Sequence, residues 1–362
     1  MASCSWGLLL LVACLAVVKG TLTLTSSLSR TRETETEKEA LLGTGWWRNR
    51  ISLLNSSKCH HCNWIGIDCS KAGRVITIGL SSKEVDLWHG FETLNFSSLP
   101  HLQRFDLSGC YLGGGIPHQI GMLSEVKYLY LQYNDLRGKL PISLVNLTQL
   151  EVLDISWNYL SGSIPTGIRS FKNLLYVDLG CNELTGFIPL ELRNMNNLVH
   201  LDLRQNKFTG TIPSELGFLT KLDYLDLSKN QFNASLSFQL IYLAQLKNLV
   251  YLDLGHNKLT GFIPKLGNLS NLVDLSLRDN SFTGFIPLEL GNLSNLVSLD
   301  LGQNKLTGTI PSVFAFMTKL DHLDLSFNQF NGSLAFQLAD LTHLTHLDVS
   351  HNSLTGRIPV FK

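Results

Sequence analysis

LVHLDLRQNKFTGTIP, the stretch from Leu198 to Pro213, decides how this chain is built. Leu201 and Leu203 are two residues apart, so in an extended strand they point to the same side, into a core. His200, Asp202 and Arg204 then point to the opposite, open side. One such strand buries too little to hold itself. The chain answers this by repetition, because the pattern L-x-x-L-x-L-x-x-N-x-L-x-G-x-I-P recurs from Leu102 to Pro359. Its Asn falls at 134, 158, 182, 206, 230, 257, 280, 304, 328 and 352, and Cys110 fills the same slot in the first copy. Successive spacings are 24 except for one of 27 and one of 23.

A period this strict lies in the range of leucine-rich repeats. It predicts a repeat solenoid in the α/β class, a curved horseshoe whose stacked strands form a parallel sheet on the concave face. The Asn ends each strand at a turn into the interior, where its amide can donate to and accept from buried backbone groups. Gly of the Gly-x-Ile-Pro segment permits a tight turn, Ile enters the core, and Pro holds the return arm extended. The repeat with L-x-G-x-I-P in its second half resembles the plant class of extracellular leucine-rich repeats. Receptor-like kinases, receptor-like proteins and polygalacturonase-inhibiting proteins carry it. The resemblance covers about four-fifths of the chain.

The 29 basic and 29 acidic residues cancel, which argues against nucleic-acid or membrane-surface binding. An apolar run from Trp6 to Val18 precedes a cleavage site at Val18-Lys19-Gly20, so residues 1–20 read as a signal peptide and not a membrane span, which needs roughly 20 apolar residues. Residues 21–36 are polar and read as a flexible leader. Residues 37–74 read as an N-terminal cap, opening on a short helix from Glu37 to Leu42. Within it, Cys62-Asn-Trp64-Ile-Gly66-Ile-Asp-Cys69 resembles the C-x-W-x-G-x-x-C core of the plant repeat cap, which implies a Cys62–Cys69 disulfide in a secreted chain. Cys59-His60-His61-Cys62 is spaced too tightly for the usual zinc arrangement. Residues 75–362 read as one degenerate coil through Val75, Ile78 and Leu80, then eleven regular repeats without a C-terminal cap.

Two return arms, FNASLSFQL after Asn230 and FNGSLAFQL after Asn328, lack Ile-Pro and lie 98 residues apart. An internal duplication of four coils accounts for both. The 27-residue coil places its extra residues around Ile241 to Gln245, away from the strand. Seven N-x-S/T sequons mark glycosylation candidates: Asn55, Asn95, Asn146, Asn233, Asn268, Asn292 and Asn331.

Copies in register align the open-face residues into columns. Four before the Asn, nine of eleven residues are Asp, which read as local hydrogen bonding along the sheet in preference to an acidic stripe for a basic partner. Six before the Asn, the residues vary: Arg104, Tyr128, Val152, Tyr176, His200, Tyr224, Tyr251, Asp274, Ser298, His322 and His346. Tyr128, Tyr130, Tyr133, Trp157 and Tyr176 gather on neighbouring coils, and Arg204 and Arg278 are the cations two before the Asn. Exposed Tyr, Trp and Arg dominate interface energetics. With His200, Tyr224 and Tyr251 they form the candidate ligand surface. Related receptors read a peptide's terminal carboxylate with an Arg-x-Arg pair, which neither Asp202-x-Arg204 nor Ser276-x-Arg278 supplies.

No glycine-rich phosphate loop with a following Lys, no H-R-D and no D-F-G occurs, so catalysis, a kinase and a cofactor are not expected. The leader ETETEKEALL, Trp46-Trp47 and AGRVITI resemble the ectodomains of leucine-rich repeat receptor-like kinases. That resemblance implies recognition of an extracellular peptide or protein, with a leucine-rich repeat co-receptor as a further partner, by an ectodomain or a truncated receptor. The alternative is a secreted inhibitor of cell-wall hydrolases, although those end in a second Cys-paired cap and nothing of that kind follows Pro359.

Overall fold

The computed structural model describes residues 32–47, 60–80, 91, 93–233, 240–334, 338–339 and 341–357. The expected signal peptide, Cys59 and Asn55 lie outside them.

Thirteen strands form one sheet. The first two, Ile67–Cys69 and Val75–Gly79, pair antiparallel, and every later strand joins parallel and in register. Each repeat contributes three residues centred on a Leu, Val or Phe, buried in all but the last, His346–Asp348, as in His200–Asp202 against Tyr176–Asp178 and Tyr224–Asp226. Leu201, Leu203, Phe208, Ile212 and Leu216 of one coil are all buried, so each turn feeds the same continuous core. Burying a side chain of this size stabilises by about 1.5–3 kcal/mol. The period does the work that a large hydrophobic run does elsewhere.

The return arms differ from a simple extended path. After the Asn, residues such as Lys207–Gly210 pair with the equivalent arm next door, giving two further five-stranded sheets. They are separate because the pairing stops between Gln231–Phe232 and Thr260–Phe262, in the 27-residue coil. The Pro of Ile-Pro then stands at the N-cap of a five-residue 3-10 helix, as Pro213 does for Ser214–Phe218. Pro suits that place because it has no N–H to leave unbonded. So the arm of a regular repeat is 3-10 helix, not α-helix. Among the described residues, α-helix occurs at 32–44 and at Leu240–Leu243, where the long coil's extra residues make a single turn.

The Asn slot behaves as a ladder. Asn206 Oδ1 accepts from Leu184 N at 2.9 Å, while Nδ2 donates to Leu179 O at 2.9 Å and Leu203 O at 3.2 Å. One amide therefore ties its own coil to the coil before it. Just before each Asn the backbone turns left-handed, with φ between 51° and 58° at Tyr133, Trp157, Cys181, Gln205, Lys229, His256, Asp279, Gln303, Phe327 and His351. Cys110 is buried in the first slot, its sulfur 3.2 Å from Leu80 O.

The cap closes the N-terminal end. Its helix, at 32–44, is longer than the expected Glu37–Leu42 and takes in the last residues of the stretch read as leader. Arg74 ties this helix to the first coil at two places: it pairs with Glu33 in the added turn, and the fully buried Glu37 accepts from Arg74 Nε at 2.8 Å and Val75 N at 3.1 Å. Trp46, Trp47 and Trp64 cover the first coil, and Trp47 Nε1 donates to Ile65 O at 3.0 Å. Cys62 and Cys69 are disulfide-bonded. That bond occupies the sulfur of the His60-His61-Cys62 group, the one cluster among the described residues whose ligand atoms converge as a metal site would need.

Candidate functional site

The open face of the sheet holds the candidate residues in parallel lines. Six before the Asn, Tyr176, His200, Tyr224 and Tyr251 stack face to face, with centroids 4.1, 4.2 and 4.4 Å apart and planes within 12°. The sheet itself makes this ladder, because in-register parallel strands lie about 4.8 Å apart, close to the contact distance of rings. The inner rings, His200 and Tyr224, have both faces covered by their neighbours, so between its two ends the ladder offers a partner ring edges and polar tips. Burial, with the Asp column beside it, raises the Tyr176, Tyr224 and Tyr251 hydroxyls well above the ordinary phenol range. Burial, helped by the Arg204 charge, pushes His200 down to about 4, and its Nε2 has no hydrogen-bond partner.

The other aromatic candidates do not join this stack. Tyr133 and Trp157 stack on each other at 5.7 Å and are the most open of the set, 60% and 43% exposed. The left-handed backbone at both residues turns these side chains off the line of the strand. Tyr128 donates from its hydroxyl to Glu151 Oε2 at 3.0 Å. Tyr130 carries the Arg104 guanidinium 4.6 Å over its ring. The patch read from sequence is thus three short lines on adjacent coils.

The Asp column makes local hydrogen bonds, the reading its uniformity from coil to coil favoured. Asp178 Oδ1 accepts from Gly180 N at 2.8 Å and Asp202 Oδ1 from Arg204 N at 2.8 Å, so each carboxylate caps its own strand end. Although on the open side, Asp154, Asp178, Asp202, Asp226 and Asp324 are buried under neighbouring side chains. Burial, reinforced by the adjacent carboxylate, pushes Asp178 up to about 6 and Asp202 up to about 7.

Both candidate arginines are engaged by this column. Arg204 lies 3.5 Å from Asp202 and 3.9 Å from Asp226. Arg278 reaches across two coils to Asp300, at 3.5 Å, and Asp324. Arg278 stands beyond the ladder and contributes no ring contact to it. Sequence reasoning missed Arg104, which pairs with Asp106 at 2.8 Å, and a second ring stack of His322 on His346 at 4.3 Å. Both belong to the column six before the Asn, where the strand spacing of about 4.8 Å is itself a ring-stacking distance and strand parity puts Arg104 and Asp106 on one face.

Six sequon asparagines lie among the described residues, and all six side chains are exposed. Asn146 and Asn292 end 3-10 helices, Asn331 lies in a return-arm strand, and none lies on a strand of the large sheet.

Comparison with known proteins gives the same class as the geometry. Family models for a leucine-rich repeat region match residues 87–258, and others for leucine-rich repeats match 248–269, 270–330 and 340–357. The chain belongs to the leucine-rich repeat proteins. More particularly, it is similar to the ectodomains of plant receptor kinases. The HAESA receptor kinase of Arabidopsis, solved with the peptide hormone IDA and the co-receptor SERK1, superposes with a TM-score of 0.77 at 32% identity over 89% of this chain and 54% of that one. The crystal structure of PEPR1–AtPEP1 gives a TM-score of 0.76 at 34% identity, covering 84% of this chain and 42% of that one. The probable receptor-like serine/threonine-protein kinase RPK1 of Arabidopsis thaliana is 36% identical over 94 residues, 25% of this chain and 16% of the kinase. The chain thus spans about half or less of these relatives. No helix among the described residues is long and apolar enough to cross a membrane.

Proposed function

We propose that this chain is the ligand-recognition part of a plant cell-surface receptor, which takes an extended peptide, or an extended segment of a protein, along the open face of its large sheet. The observation that carries this is an aromatic surface spread over six neighbouring strands. It runs from Tyr128, Tyr130, Tyr133 and Trp157 through the ladder of Tyr176, His200, Tyr224 and Tyr251. Ring edges with hydroxyl tips supply contact area at little conformational cost. All the sequons lie off this face or outside the described residues, so glycans at Asn95, Asn146, Asn233, Asn268, Asn292 and Asn331 would leave it bare. The reading of residues 1–20 as a signal peptide agrees with work outside the cell. The solved HAESA relative, in complex with a peptide hormone and a co-receptor, makes a second leucine-rich repeat chain the natural signalling partner. Arg204 and Arg278 already serve internal carboxylates, so they serve the architecture of the face more than a ligand's terminus.

The test is binding of the purified glycosylated protein to a panel of extracellular peptides and cell-wall hydrolases. It is repeated with Tyr128→Ala, Tyr130→Ala and Trp157→Ala. A peptide bound, and weakened about tenfold or more by these changes, supports the reading. Tight binding of a hydrolase with no peptide bound would overturn it in favour of an inhibitor.

A further inference from the structure

The ladder is missing one rung. In the column six before the Asn, the parallel register sets Tyr128, Val152 and Tyr176 side by side. Adjacent strands lie about 4.8 Å apart, so the Tyr128 and Tyr176 backbones are about 9.6 Å apart with only a valine between them. A flat group in contact with both needs about 3.5–4 Å on each side. Tyr176 stacks on His200 with one face only, and among the described residues no ring covers the other.

The carboxylates beside this gap also lack a cation, as does Asp253 farther along the column. Along the Asp column, Asp106 has Arg104, Asp202 and Asp226 share Arg204, and Asp300 and Asp324 share Arg278. Asp154 and Asp178, next to the gap, have no cation within 4 Å among the described residues, and both are more than nine-tenths buried. The protein shows what suits such a place. Where the same column carries Arg104, its guanidinium lies over the Tyr130 ring at 4.6 Å and pairs with Asp106 at 2.8 Å.

We propose that the gap above Val152 is a subsite for an arginine side chain of the ligand, its planar guanidinium laid against Tyr176 and paired with Asp154 and Asp178. This rests on the peptide-receptor reading above and narrows it to a peptide with an arginine at one fixed place. Lysine fits less well, because an ammonium cannot lie flat between rings or bond two carboxylates in a fork. A neutral ring would fill the gap but leave both carboxylates uncompensated.

The probe is a library of random displayed peptides, selected on the wild-type protein, on Val152→Tyr, which completes the ladder, and on Asp154→Asn, which keeps the bond to Ser156 but loses the charge. On wild type, selected peptides should share an arginine, and replacing it by lysine in a synthesised winner should weaken binding at least tenfold. The arginine preference should vanish on Val152→Tyr and fall on Asp154→Asn. Melting curves show whether each variant is folded, and Asp154→Asn keeps the test alive if the tyrosine disturbs the sheet. Peptides that bind without preferring arginine, that accept lysine equally, or that keep the preference on both variants would overturn the subsite and leave the receptor reading standing. If no peptide is selected at all, the receptor reading fails and the subsite with it.

Discussion

At the scale of single residues, the Asn ladder carries more than its size suggests. Replacing Asn206 by Ala would leave Leu184 N, Leu179 O and Leu203 O without their side-chain partner in a dry interior. A buried group left unpaired costs about 1–3 kcal/mol. Asn206→Ala should therefore destabilise by about 3 kcal/mol or more in denaturant titration, whereas the exposed neighbour Gln205→Ala should change little. The Asp column has the opposite character. Asp178 is held up to about 6, above its ordinary value, so ionising it in the folded protein opposes folding at neutral pH. Stability from this group is present at low pH and is lost as pH rises from about 4 through 6. Asp178→Asn should be more stable than wild type at pH 7.5, by on the order of 2 kcal/mol, with the advantage gone near pH 4. Melting temperatures of the pair across that range check it. His200 works the other way, since a group held down to about 4 loses stability for the fold as pH falls from about 6.5 to 4.

At the scale of elements, the short strands survive because neighbours on both sides complete them, and the return-arm sheets show what happens where a neighbour is lost. Pairing stops between Gln231–Phe232 and Thr260–Phe262, although the large sheet continues across the same coils through Tyr224–Asp226 and Tyr251–Asp253. Amides of those two arm segments should exchange with solvent faster than those of Lys207–Gly210. Equal protection would mean the arms do not depend on lateral pairing. The turn glycines are equally local. Gly308 has φ +81°, and a Cβ there would meet the Phe285 ring at 2.2 Å. Gly308→Ala should lower stability by about 1 kcal/mol or more through its backbone alone, and adding Phe285→Ala should recover the steric part but not the rest.

At the scale of the whole molecule, stability is a sum over coils and their interfaces, so no single site holds the fold. Function then belongs to columns, not to a pocket. The same register that stacks Leu on Leu in the core stacks Tyr on His on Tyr outside it. Removing one rung, as in His200→Ala, should leave the fold intact by circular dichroism while opening both Tyr176 and Tyr224 to solvent. A return of the Tyr224 hydroxyl toward an ordinary phenol titration would report it.

The solenoid follows from the repeat alone. Leu201, Leu203 and Asn206, repeated every 24 residues, leave one way to bury the leucines and bond the amides, and their spacing depends on nothing outside the repeat. It also ordered the open-face columns, because a side chain's face in a strand follows from parity alone. What those columns do depends on contacts between coils. That Asp202 is buried, that Arg204 and Arg278 are bound to carboxylates one and two coils away, and that Val152 leaves a gap between rings are relations between coils. Periodicity fixes where each residue stands along its own strand. Distance and charge across strands depend on which side chain the neighbouring coils happen to hold, and those meet only when the chain has wound.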